Sequence, residues 1–199
     1  MQDIVRKQLQ ESISTFQRVA ADDAIVRSLV AAAELVANAM RSGRKLMIAG
    51  NGGSAADAQH LAAEFVVRLN ADRPALRAVA LTTDTSILTA IGNDYVYDNV
   101  FARQIEAIGL AGDVFLAIST SGNSRNILKA LTLARSMGVA TIGYSGNNGG
   151  KMAELCDVNI IIPSTATANI QECHLALEHI LCMLVERLVF GSDFIYENK

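Results

Sequence analysis

The sequence predicts an α/β domain, with five short parallel strands in one sheet, helices on its faces and a helical extension in front. Three observations point there. Five short apolar runs recur between residues 45 and 162, separated by helix-length segments. Two of the runs pass directly into glycine- or serine-rich loops that open helices, as strand carboxyl ends do in such sheets. Of the 199 residues, 51% are hydrophobic with no Trp, so small aliphatic side chains carry the core and suit close helix–sheet packing.

Residues 1–43 precede any strand. Ile4, Val5, Leu9, Ile13 and Phe16 recur at helical spacing over residues 3–19. A second helix, rich in Ala, Val and Leu, runs from about Asp22 to Arg41 and stops at Gly43. Residues 44–199 form the α/β body, and one domain is expected over 1–199. Strand one is Lys45–Ala49, followed by a helix from Ser54, its expected cap, to about Arg68. Leu69–Pro74 reads as a loop and Arg77–Leu81 as strand two. A short helical piece within Thr82–Asn93 ends at Gly92-Asn93-Asp94, and a helix follows from about Tyr97 to Ile108. Strand three, Val114–Ile118, leads through Ser119–Ser124 into a helix ended by Gly138. Strand four is Ala140–Tyr144. Gly149-Gly150 opens a short helix near Met152–Leu155. Strand five is Asp157–Ile162, and a last helix runs from about Ala168 to Val189, with a polar tail after Gly191.

Net charge is −3 with both signs interspersed, and no basic stripe or tail argues for nucleic-acid binding. No run is long and uncharged enough to span a bilayer, and the amino terminus has no signal-peptide apolar stretch. Cys156, Cys173 and Cys182 are odd in number and lie in apolar surroundings, which fits buried thiols in a reduced, cytoplasmic setting. Mean hydropathy is +0.27, high for a lone domain, so surplus apolar surface is expected between subunits.

The stretch Lys45–Glu64 carries the first chemistry. Three glycines among Gly50-Asn51-Gly52-Gly53 let the backbone turn sharply and approach a ligand, and the following helix points unpaired N–H groups into the loop. His60 and Glu64, four apart, share a helix face. A lone pair of this kind is more often a surface ion pair, so it needs a complementary cluster elsewhere. Ser119-Thr120-Ser121-Gly122-Asn123-Ser124 offers hydroxyls, backbone donors and a helix start, the chemistry a phosphate monoester requires. It lacks the lysine of a Walker motif.

The last helix, IQECHLALEHILCMLVERLVF, is nearly apolar all round and should be buried. At about 100° per residue, Gln171, Glu172, Glu178, His179 and Glu186 fall in one polar stripe, with His174 off its edge. Two metal pairings are open. His174/Glu178 repeats the spacing of His60/Glu64 and is preferred on spacing, because Gln171 and His179 are separated by a rise of about 12 Å.

Taken together, Asn51-Gly52-Gly53-Ser54, His60/Glu64, Gly92-Asn93-Asp94, Ser119–Ser124, Gly149-Gly150 and Gln171-Glu172…His179 resemble the phosphoheptose isomerases, within the sugar isomerase (SIS) superfamily. The resemblance runs from the first helices to the end of the last. It implies a flavodoxin-like three-layer sandwich, a cytoplasmic homotetramer with active sites between subunits, and one zinc per subunit. It implies zinc ligands His60, Glu64, Gln171 and His179, against the spacing preference for His174/Glu178. Substrate contacts carried over are Asn51, Gly52, Gly53, Glu64, Asn93, Asp94, Ser119, Thr120, Ser121, Ser124 and Gln171. Where family members often have a charged residue before the last helix's Ile-Gln, this chain has Ala168-Asn169. The implied reaction converts sedoheptulose 7-phosphate to glycero-manno-heptose 7-phosphate through an enediol, with Glu64 as base and His179 as acid, the first step toward ADP-heptose for lipopolysaccharide core. A non-catalytic SIS protein, of the kind that associates with a replication initiator, is the alternative; keeping both Glu64 and His179 argues against it. A phosphosugar sensor would usually carry an added DNA-binding domain, for which there is no room.

Overall fold

The computed structural model describes residues 1–69 and 72–191. Two helices come first, α1 (Gln2–Ala21) and α2 (Asp23–Arg41). Asp22 separates them and caps α2, its carboxylate accepting from the backbone N–H of Ala24 at 2.8 Å. The strands are β1 (Leu46–Ala49), β2 (Ala78–Ala80), β3 (Val114–Ser119), β4 (Ala140–Gly146) and β5 (Val158–Ile162). All neighbouring pairs are parallel, in the order β2-β1-β3-β4-β5. Between the strands run α3 (Gly53–Val66), α4 (Thr85–Asp94), α5 (Ala102–Ile108) and α6 (Arg125–Ser136), and α7 (Thr167–Phe190) follows β5.

Strand residues alternate between two cores. Leu46, Ile48, Leu116, Ile118 and Tyr144 face α2, α3 and α7, whereas Met47, Ala49, Phe115 and Ala117 face the α5 and α6 side. The strand order reverses between β1 and β3. In open parallel sheets this switch point is where a crevice opens at the carboxyl ends. The loops Gly50–Gly52 and Thr120–Ser124 flank it.

Two expectations change. The helix expected from Tyr97 to Ile108 is split into a 3₁₀ turn, Tyr97–Asn99, and α5. The junction sends both Val100 and Phe101 into the core beneath α6. Ser54 does not cap α3. Gly52 holds that place at φ +58°, and Ser54 lies buried inside the first turn. Strand and helix ends otherwise differ by a few residues from the sequence reading, the last turn of α4 taking in Asn93 and Asp94. Part of the Leu69–Pro74 loop and the tail after Gly191 lie outside the described residues. Among those described, no helix is long and apolar enough to cross a membrane.

Candidate active site and metal centre

The two loops at the switch point are tied together by a pair of amides. Asn51 Nδ2 donates to Asn126 Oδ1 at 3.0 Å, and Asn126 Nδ2 returns a bond to Asn51 Oδ1 at 2.8 Å. Tyr97 Oη adds a 3.3 Å bond to Asn51 Oδ1. The Asn51 side chain is therefore engaged in holding β1's loop to the start of α6. Asn126 was not singled out from sequence, although Asn in the second position of α6 is a weak helix former.

The phosphate-type loop closes on itself. Ser119 Oγ and Ser124 Oγ are 3.0 Å apart, and Ser121 Oγ accepts from the Asn123 N–H at 3.1 Å. Gly122 has φ +64°, and a Cβ on it would overlap the Gly149 carbonyl. The Gly149-Gly150 segment is strapped to it: the Met152 N–H donates to the Gly122 carbonyl at 3.1 Å and the Lys151 N–H to Asn123 Oδ1 at 3.2 Å. Asn93 and Asp94 end α4 exposed and bonded to each other at 2.7 Å.

Farther along α3, His60 and Glu64 meet His179 of α7. His60 Nε2 lies 2.8 Å from His179 Nε2 and 3.6 Å from Glu64 Oε1. One ligand atom from each residue falls within 4.8 Å of the others. Two imidazole Nε2 atoms so close need a proton or a cation between them. Tetrahedral zinc with ligands at about 2.0–2.2 Å keeps its donors about 3.4 Å apart, so the donor set suits it chemically, while the two rings, 2.8 Å apart, would have to separate by about 0.6 Å to share such an ion.

Gln171 comes from the start of α7. A Cβ on Gly53 would overlap its amide, so Gln171 packs over the start of α3, about two turns before His60. A side chain at Gly53 would displace the Gln171 amide. His174 and Glu178, the pair favoured by spacing, do not join the trio. His174 is fully buried, and its Nε2–H donates to the Ser145 carbonyl at 3.0 Å. Burial holds its pKa down at about 4, so the ring is neutral. Glu178 is also fully buried; burial first, then repulsion from Asp57, pushes it up to about 8. Burial likewise raises Asp57, against the pull of His60. The residues expected to form one polar stripe on α7 thus take separate partners. Gln171 meets Gly53, His179 meets His60 and Glu186 meets Arg73, while Glu172 stays exposed.

Comparison with known proteins agrees with this architecture. The SIS domain profile matches residues 9–146. Over 195 residues, covering 98% of both chains, the sequence is 49% identical to the phosphoheptose isomerase of Aneurinibacillus thermoaerophilus. It is 53% identical over 184 residues, 92% of each chain, to phosphoheptose isomerase 2 of Campylobacter jejuni. The solved phosphoheptose isomerase of Neisseria gonorrhoeae superposes with a TM-score of 0.88 at 44% identity, covering 93% of this chain and 98% of that one.

Proposed function

Because the chain belongs to the phosphoheptose isomerases of the SIS-domain family, we propose that it isomerises D-sedoheptulose 7-phosphate to D-glycero-D-manno-heptose 7-phosphate. The observation that carries the reading is the convergence of His60, Glu64 and His179 below a hydroxyl-rich loop at the switch point. In this reading Ser119, Thr120, Ser121 and Ser124, with the amino end of α6, hold the 7-phosphate. Anchoring that end presents C1 and C2 to the trio. Asn51, Gly52, Gly53, Asn93, Asp94 and Gln171 contact the sugar. Glu64 takes the proton from C1 and returns it to C2, and His179 moves a proton between the C1 and C2 oxygens.

In this reading His60, Glu64, Gln171 and His179 would hold one zinc ion per subunit, Gln171 lying over Gly53. When bound, zinc polarises the sugar oxygens and stabilises negative charge developing on them. A carboxylate cannot be a tight ligand and a free base at once, so for Glu64 to act as base any contact it made with a bound metal would have to be a weak one.

The assembly in this reading is a cytoplasmic homotetramer of single-domain subunits, with residues 1–43 serving packing and oligomerisation. Ile4, Val5 and Leu9 of α1 are more than half exposed. An apolar groove of about 390 Å³ runs between α1, α2 and α7 beside Phe16, Val26 and Ile180. Both support burial against further copies. The product enters ADP-heptose synthesis for lipopolysaccharide core. Incubating zinc-loaded protein with sedoheptulose 7-phosphate and following the aldose signals by NMR tests the reading. Aldose product is expected, and its absence removes the enzyme role in favour of a phosphosugar-binding one.

A further inference from the structure

Arg73 lies outside every motif that pointed to the site, yet it joins two of the helices that build it. Its Nε donates to Glu186 Oε1 of α7 at 2.5 Å. Its Nη2 donates to the Glu64 carbonyl at 2.7 Å. Its Nη1 donates to the carbonyls of Phe65 at 2.9 Å and Pro74 at 3.2 Å. Both charged side chains are 0% exposed. The Glu64 and Phe65 carbonyls belong to the last turn of α3, where helix carbonyls lack intrahelical partners and the dipole favours a cation. Glu186 stands seven residues after His179, two turns along the same face of α7. One guanidinium therefore grips the backbone of Glu64 and, through Glu186, the helix that carries His179.

We propose that Arg73 and Glu186 form a positioning clamp that sets the α3–α7 spacing at which His60, Glu64 and His179 converge on one divalent cation. The inference rests on the metal-centre reading above. Neither residue touches the reacting atoms. A buried ion pair is weak support for stability in itself, since apolar residues of similar volume can replace one. What only the planar fork does is serve acceptors on both helices at fixed geometry; a lysine is a flexible point charge and keeps the charge without the fork.

The test compares R73K and E186Q with K45M. The last breaks the Lys45–Asp113 pair, 2.5 Å long, which ties the start of β1 to the residue before β3. Zinc affinity is measured by chelator competition, kcat and KM by product assay, thermal midpoint by circular dichroism, and the His60–His179 separation by crystallography. R73K and E186Q are expected to bind zinc about 10–100-fold more weakly, with kcat falling and KM near wild type. Their His60–His179 Nε2 separation, 2.8 Å in the present structure, should exceed that of wild type crystallised in the same metal state. K45M should lose thermal stability and keep wild-type zinc affinity. Wild-type zinc affinity in both clamp variants overturns the proposal, as does K45M weakening zinc equally at equal thermal loss. Should R73K fail to fold, E186Q carries the same comparison. Should wild-type protein bind no zinc, the metal reading falls, and the crystallographic separation still decides the clamp: unchanged in the variants, it refutes it.

Discussion

His174 makes stability depend on pH in a way that can be isolated by one substitution. The ring is fully buried, donates to the Ser145 carbonyl, and has its pKa lowered from 6.5 to about 4 by desolvation. Below pH 6.5 the unfolded chain binds a proton at this residue that the folded chain does not. Its contribution to stability is therefore present above pH 6.5 and is lost as pH falls toward 4. At 1.36 kcal/mol per unit, a shift of this size amounts to about 3 kcal/mol across that window. The perturbation is His174→Gln, whose amide can still donate to Ser145 but cannot titrate. Urea unfolding of both proteins at intervals from pH 4 to 8 measures it. The wild type should lose about 3 kcal/mol more than the variant between pH 6.5 and 4, at similar m-values. Parallel stability curves would refute the argument, because the proton taken up on unfolding would then not be at His174.

Gly122→Ala forces a side chain into φ +64° against the Gly149 carbonyl. The conformation alone costs about 1–2 kcal/mol. Displacement of the loop should raise KM for the phosphosugar more than it lowers kcat, which steady-state kinetics will show. Stripping metal with a chelator should abolish turnover, and zinc should restore it. At zinc one hundred times its dissociation constant, binding adds about 2.7 kcal/mol, so the thermal midpoint should fall by about 5–10 °C on stripping; an unchanged midpoint in a thermal scan would count against the centre.

Much of the fold was legible because it rests on local patterns. Apolar runs such as Leu46–Ala49 alternate their side chains into two cores, and glycine-punctuated loops mark the carboxyl ends of β1 and β3. What local pattern could not convey was tertiary demand. The break before α5 exists because Val100 and Phe101 both reach the core. Ser54 looked like a cap because the left-handed turn at Gly52 leaves no sequence mark beyond the glycine itself. In the site, His60/Glu64 was visible as a spacing, but its union with His179 spans 119 residues. The His174/Glu178 spacing was as good, and only burial separates the two: those side chains point into the protein. The resemblance, rather than periodicity, pointed to His179. Arg73 reads as an ordinary loop charge and Glu186 as one member of the last helix's polar stripe, since nothing local shows that each is the other's partner.

The most direct test of the central claim compares wild type with Glu64→Gln, both assayed for aldose formation from sedoheptulose 7-phosphate after zinc content and fold are checked. If the His60–Glu64–His179 centre carries the isomerisation with Glu64 as base, the variant keeps its fold and loses turnover by about 10²–10⁴-fold or more. Turnover within a few-fold of wild type would contradict that account and remove Glu64 from the chemistry.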